Sequence, residues 1–171
     1  MALEFDEQLS RLEKPNRNEM TNKEYAVFNE NVETMEKNWG FINNLFKVLP
    51  LNASQYIGFL DFKGSLFNPD TCYLTNADKE MIGVVVSSIN CCSYCLTLSL
   101  IHISEPWYVT KHADEIDETQ IENLRKAGFN DHEILEAAFV AGFFNYTNRW
   151  VSTIAPVANP GHFSHNRNFE G

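Results

Sequence analysis

"LTNADKEMIGVVVSSINCCSYC", Leu74 to Cys95, carries the start of one helix, a turn and three closely spaced cysteines. Thr75-x-x-Asp78 has the form of a capping box, in which a hydroxyl and a carboxylate satisfy free backbone amides at a helix start. Met81, Ile82, Val85, Val86 and Ile89 follow at helical spacing. The Val84–Val86 run would also suit a strand, but the cap and the length of the segment favour a helix. Asn90 then reads as the N-cap of a second helix, which runs from about Cys91 to Ser104 and stops at Pro106. On that reading Cys92 lies in the first turn of the second helix, and Cys95 lies one turn later on nearly the same face.

A cysteine in the first turn of a helix meets the partial positive charge of the helix end, which stabilises a thiolate. Cys95 is then placed to attack a mixed disulfide formed at Cys92, although either cysteine could open the reaction and exposure decides which. The residues alone leave a second reading open, in which all three cysteines are small buried apolar side chains. A zinc clip needs about four ligands. No second paired motif is present, and His102 and His112 are the imidazoles nearest in sequence, so no metal is expected. Cys91 reads as a neighbour of the pair rather than a partner. Cys72 follows "NPDT" in a turn and reads as incidental. If the two helices run antiparallel, Glu80 faces Ser99, one turn beyond Cys95. A carboxylate there can move protons, although an isolated helical Glu is usually a solvated surface residue.

Helical signals continue on both sides. Between positions 25 and 49, Tyr25, Phe28, Val32, Met35, Trp39, Ile42, Phe46 and Leu49 alternate at gaps of 3 and 4. That pattern is one helical stripe, closed by Pro50 and kinked or divided at Gly40. Residues 52–63 form a short aromatic-rich helix with Tyr56, Phe59, Leu60 and Phe62 available for burial. Thr21-x-x-Glu24, Thr119-x-x-Glu122 and Asn130-x-x-Glu133 mark further helix starts, and Gly64 and Gly128 mark helix ends. Helices over 119–127 and 131–154 complete the pattern, the last with Leu135, Phe139, Phe143, Tyr146, Trp150 and Ile154 along one face. No strand is evident. The expected fold is all-α, about six to eight helices in a single domain over 1–171, with 1–20 and 157–171 as flexible or oligomer arms.

The 171 residues carry 13 basic and 23 acidic side chains, a formal charge of −10. That balance disfavours a nucleic-acid partner, because phosphates are repelled. The first 20 residues are polar and acidic from position 4, unlike a signal peptide, and no apolar run reaches membrane-spanning length. A cytoplasmic location is the default, and there clustered cysteines point to redox or metal chemistry more than to structural disulfides. No Rossmann or P-loop pattern is present, so no nucleotide cofactor is expected.

A capped helix containing Glu80, then Cys-x-x-Cys opening a second helix twelve residues on, resembles the alkyl hydroperoxidase D-like (AhpD-like) branch of the carboxymuconolactone decarboxylase superfamily. "LRKAGFNDHEILEAAFVAGFFNYTNRW", with Asn145-Tyr146-x-Asn148-Arg149, is similar to the second half of its peroxidase-related members. The resemblance spans roughly 74–155. It implies an all-helical fold assembled as dimers, trimers or trimers of dimers. It also implies peroxide reduction by a cysteine pair re-reduced by a thioredoxin-like or lipoyl thiol. In that scheme Cys95 meets the peroxide, Cys92 resolves the sulfenic acid, and Glu80 belongs to a proton relay.

The family pattern has His four residues after the second cysteine. Here that position is Ser99, which is no base near neutral pH. A further relay position is Tyr94. His102 is a candidate substitute through Glu80 or water, or else a structural histidine. The stretch between the cysteine helix and residue 119 is shorter than in many peroxidase-related members. Two other readings follow from the same resemblance. One is a non-catalytic oligomeric or partner-binding homologue, for which Ser99 argues. The other is decarboxylation of a lactone acid, against which the cysteine pair argues. Asn145, Asn148 and Arg149 are expected in helix-packing or subunit hydrogen bonds.

Overall fold

The computed structural model describes residues 8–98 and 110–160, and for 96–98 only the backbone. Among these residues every regular element is helical. The α-helices are α1 (Asn22–Trp39), α2 (Asn44–Val48), α3 (Ala53–Leu66), α4 (Asn76–Ile89), α5 (Ser93–Leu98), α6 (Glu118–Lys126) and α7 (Asp131–Ile154). Three short 3-10 turns lie at Arg17–Glu19, Leu49–Asn52 and Ala113–Glu115. The chain divides into two compact units, one drawn from Met1–Asp61 with Ile154–Gly171 and one from Phe62–Thr153.

In the first unit the Thr21/Glu24 capping box forms as the sequence indicates and starts α1. Phe28, Val32 and Met35 are its buried line. The stripe over 25–49 is divided, not merely bent: Gly40 adopts φ 74°, donates its N–H to Glu36 O and ends α1. Only a glycine holds that left-handed conformation without cost. Asn43 caps α2 through Leu45 N–H. Pro50 sits inside the 3-10 turn joining α2 to α3, where its missing N–H is no loss. Phe46 packs on Tyr56 and Phe59, and the Tyr56 hydroxyl donates to Asn31 Oδ1 at 2.9 Å.

Residues 1–7 and 161–171 of the expected arms lie outside the described residues, and the described parts of both ends are hydrogen-bonded within the first unit. Arg11 N–H donates to Ile154 O and Val157 N–H to Leu9 O, each at 2.8 Å. The buried Asn159 amide accepts from Asn44 N–H at 2.7 Å and donates to Ile42 O at 3.0 Å. Polar side chains here satisfy loop backbone that the core has cut off from water, a requirement hydropathy does not register.

In the second unit α4 and α7 lie side by side and run in the same direction. Their contacts advance together: Lys79 with Glu136, Gly83 against Phe144, Ser87 with Asn148. Gly83 is what permits the approach, since a Cβ there would overlap the Phe144 ring. The buried line of α4 is Lys79, Gly83, Val84, Val86 and Ser87; of the set picked out by hydrophobicity Val86 is buried, while Met81, Ile82, Val85 and Ile89 are half-buried. On α7 the buried residues are Val140, Ala141, Phe143, Thr147, Asn148, Val151 and Ile154. Leu135, Phe139 and Tyr146 are 58%, 53% and 55% exposed within the chain. The space left by Gly83 is taken by the Phe144 ring, and Phe143 beside it is buried.

Two boundaries differ from the expected ones. Gly64 lies inside α3 rather than at its end, and Phe62 is 41% exposed. The first turn of α6 is capped by Asp117 with Gln120, two residues before the expected Thr119. Asn130 and Glu133 do exchange the expected reciprocal bonds before α7. Among the described residues, no helix is long and apolar enough to cross a membrane.

Candidate active site: the Cys92–Cys95 turn

The Thr75/Asp78 capping box forms and fixes the start of α4. At the far end Asn90 is the C-cap of α4, not the N-cap of the next helix. Cys91 N–H donates to Ser88 O at 3.1 Å and Cys92 N–H to Ser87 O at 3.0 Å. This pair of bonds is a Schellman motif, which leaves the residue after the cap in a left-handed conformation. Cys91 holds that place with φ 52°. The same motif ends α6, where Gly128 N–H bonds Arg125 O and Phe129 N–H bonds Leu124 O, with Gly128 at φ 103°.

Because α5 starts at Ser93, Cys92 precedes its first turn and Cys95 is the residue inside it. The expected N-terminal setting thus belongs to Cys95. The two cysteines form a disulfide with Cα atoms 5.3 Å apart, inside the usual range for an unforced bridge. Both are buried, Cys92 at 2% and Cys95 at 8% exposure, whereas Cys91 is exposed and free. Tyr94 is buried between them in sequence, at 8% exposure.

The turn is tied to α7. Asn90 Nδ2 donates to Asn145 Oδ1 at 3.0 Å, and Asn145 Nδ2 donates to Thr110 Oγ1 and Ala141 O, both at 3.1 Å. Arg149 Nη1 donates to Asn145 O at 2.7 Å. Asn145 thus holds both ends of the stretch carrying the cysteine pair. Asn148 is fully buried and accepts from Ser87 Oγ at 3.1 Å. The expected packing role of these α7 residues is what the described residues display.

Glu80 is exposed on α4, and its carboxylate acts on Lys63, whose ammonium burial pushes down while Glu80 opposes that shift. Its placement opposite Ser99, and Ser99 and His102 themselves, lie outside the described residues, as does the end of the cysteine helix near Ser104. Among the described residues, no group of three or more His, Cys, Asp or Glu side chains is placed to hold a metal ion.

A second polar cluster was not anticipated. Lys79 is completely buried, and its Nζ lies 2.8 Å from Glu136 Oε1. Glu136 Oε2 also accepts Tyr73 N–H at 2.6 Å and Leu74 N–H at 3.1 Å. The Cys72 side chain acts electrostatically on both members of the pair, and its thiol donates to Leu66 O at 3.2 Å. Burial works to raise the Glu136 carboxyl, but Lys79 and the two amides outweigh it and bring it down to about 2. Burial likewise works to lower the Lys79 ammonium, and its interactions with Cys72 and with the accepting Glu136 carboxylate hold it above its ordinary value. Cys72 is therefore not incidental, although it belongs to a structural clasp between the 72–74 turn, α4 and α7. The clue in the sequence is position 79 itself: it falls on the line of Gly83 and Val86, where a solvated lysine does not fit.

Comparison with solved structures places this arrangement among known folds. A protein from Ralstonia eutropha JMP134, described as an alkylhydroperoxidase AhpD core and uncharacterized peroxidase-related protein, superposes with a TM-score of 0.78 at 23% identity. The match covers 92% of this chain and 96% of that one. An uncharacterized peroxidase-related protein from Silicibacter sp. TM1040 gives 0.74 at 26% identity, covering 92% and 95%. The debrominase Bmp8 gives 0.62 at 13% identity, covering 85% and 92%. No protein-family model and no curated protein matches the chain. The fold is thus the AhpD-like helical fold, in agreement with the resemblance read from residues 74–155.

Proposed function

Starting from the AhpD-like fold, we propose that this chain is a thiol-dependent peroxidase or disulfide oxidoreductase whose working group is the Cys92–Cys95 dithiol. One observation carries the reading: two cysteines at a helix start are bridged by a buried disulfide, with a third, unbridged thiol beside them. In the reduced protein the Cys95 thiolate attacks the outer oxygen of a hydroperoxide. The O–O bond breaks, the alcohol leaves with a proton, and Cys95 becomes a sulfenic acid. The Cys92 thiol attacks that sulfur, hydroxide leaves as water, and the disulfide forms. An external dithiol of thioredoxin-like or lipoyl type returns two electrons.

Burial of both sulfurs supports a small hydroperoxide as oxidant rather than a protein disulfide. Glu80 and Tyr94 are the described residues assigned to proton transfer. Ser99 takes the place of the relay histidine, so Cys95 is deprotonated slowly and turnover is modest. Leu135, Phe139 and Tyr146 on the outer side of α7 support assembly into a homo-oligomer, since apolar rows of this kind are usually covered.

The test is hydroperoxide consumption driven by a dithiol such as dihydrolipoamide. Turnover above the protein-free rate is expected, and Ser99→His should raise it by about tenfold or more. Absence of turnover in both proteins would sink the reading in favour of a non-catalytic homologue.

A further inference from the structure

We propose that Cys91 is the outward-facing exchange thiol of this centre, carrying electrons from a thiol reductant in solution to the buried Cys92–Cys95 disulfide. The inference rests on reading Cys92 and Cys95 as a redox pair, and it assigns the step by which that pair is re-reduced. A disulfide reacts only when a thiolate reaches one of its sulfurs in line. Here the bridged residues are 2% and 8% exposed, so an incoming thiol has little access. The neighbouring Cys91 is exposed and unbridged, its thiol in no more than a long, weak contact with Ile89 O at 4.0 Å.

The backbone around it points the same way. Two helices end in the same Schellman pattern. After α6 the left-handed position is filled by Gly128, the residue that suits it, and after α4 it is filled by Cys91. A side chain retained in a glycine position, exposed and directly before the buried pair, is a case where a local rule is broken at a reactive group. The Asn90–Asn145 bond and the Cys92–Ser87 bond hold the residues on either side of it.

The exchange balances without an added oxidant. The Cys91 thiolate attacks one sulfur of the buried disulfide, and the other sulfur leaves as a thiolate and takes up a proton. Cα atoms of adjacent residues are about 3.8 Å apart, shorter than disulfides usually span. That spacing favours Cys95 as the sulfur attacked and Cys92 as the one released. The new bridge ends at an exposed sulfur. A low-molecular-weight or protein thiol then attacks Cys91, the Cys95 thiol is released, and a mixed disulfide forms at Cys91. A second reductant thiol resolves it, giving the oxidised reductant and Cys91 as it began. Two electrons pass from two thiols to the Cys92–Cys95 pair.

The test uses the full chain in its oxidised form, with glutathione as the probe and no peroxide. Acid-quenched samples are alkylated and mapped by peptide mass spectrometry over time. In the natural protein glutathione is expected on Cys91 before any other cysteine, with free thiols at Cys92 and Cys95 in the same molecules. Cys91→Gly, which suits the backbone, and Cys91→Ser should both slow reduction on the order of tenfold. The final extent of reduction should be unchanged, since Cys91 starts and ends as a thiol. Equal rates in all three proteins, or glutathione appearing first on Cys92 or Cys95, would overturn the relay alone. A pair that glutathione reduces at no concentration would overturn the redox reading together with it.

Discussion

Glu136→Gln is expected to lower the midpoint of thermal unfolding at pH 7 by about 6–12 °C, from a loss of about 3 kcal/mol. Lys79 is completely buried, and the substitution leaves its ammonium facing a neutral amide. Removing one partner of a buried ion pair exposes the full cost of desolvating the other. The double variant Lys79→Met with Glu136→Leu should recover part of this, because no buried charge is then left alone. Full recovery is not expected, since Tyr73 and Leu74 N–H would still lose their acceptor.

The same pair sets a pH dependence. Glu136 is lowered from 4.5 to about 2, so its contribution is complete above pH 4.5 and is lost as pH falls through about 2. Lys79 is raised above 10.5, so its contribution is complete below that value and is lost as pH rises through its folded pKa. Urea titrations should therefore show the penalty of Glu136→Gln largest between these limits and shrinking in acid. A penalty that stays constant down to pH 2 would contradict the assignment.

The second large effect is at the dithiol. Cys95→Ser should reduce dithiol-driven hydroperoxide turnover by about a thousandfold or more, because no other residue is assigned the attack. The double variant Cys91→Ser with Cys92→Ser should also fail to turn over, but at a later stage. Its Cys95 still becomes a sulfenic acid, which finds neither neighbouring thiol and is captured by dimedone as a covalent adduct. Circular dichroism of both proteins should retain the helical spectrum, since serine is nearly isosteric with cysteine. A dimedone adduct at Cys92 in Cys95→Ser, with none at Cys95 in the double variant, would reverse the two roles.

Helix starts were the most legible feature of the chain. The boxes at Thr21 and Thr75 and the imitation at Asn130 consist of short-range bonds written into adjacent residues. The helical class and the cysteine turn were legible for the same reason. What hydrophobic periodicity missed is the contact between α4 and α7. It is made by Lys79 with Glu136, Gly83 against Phe144 and Ser87 with Asn148, mostly small or polar residues that a hydropathy scale undervalues.

Leu135, Phe139 and Tyr146 of the expected α7 face are exposed, while Phe143 and Ile154 of the same set are buried. Lys79 escaped because a helical lysine is ordinarily solvated, and its partner is 57 residues away, as 136 − 79 shows. Asn90 was assigned to the wrong helix because the same residue type serves at both ends. Only the left-handed Cys91 that follows it reveals which end this is.

The most direct measurement treats the fully reduced protein with one equivalent of an alkyl hydroperoxide and maps its cysteines by mass spectrometry. The expected product is one molecule of alcohol per chain and a Cys92–Cys95 disulfide, 2 hydrogens lighter than the dithiol and restored by a dithiol. Unchanged hydroperoxide with both thiols intact would contradict the account.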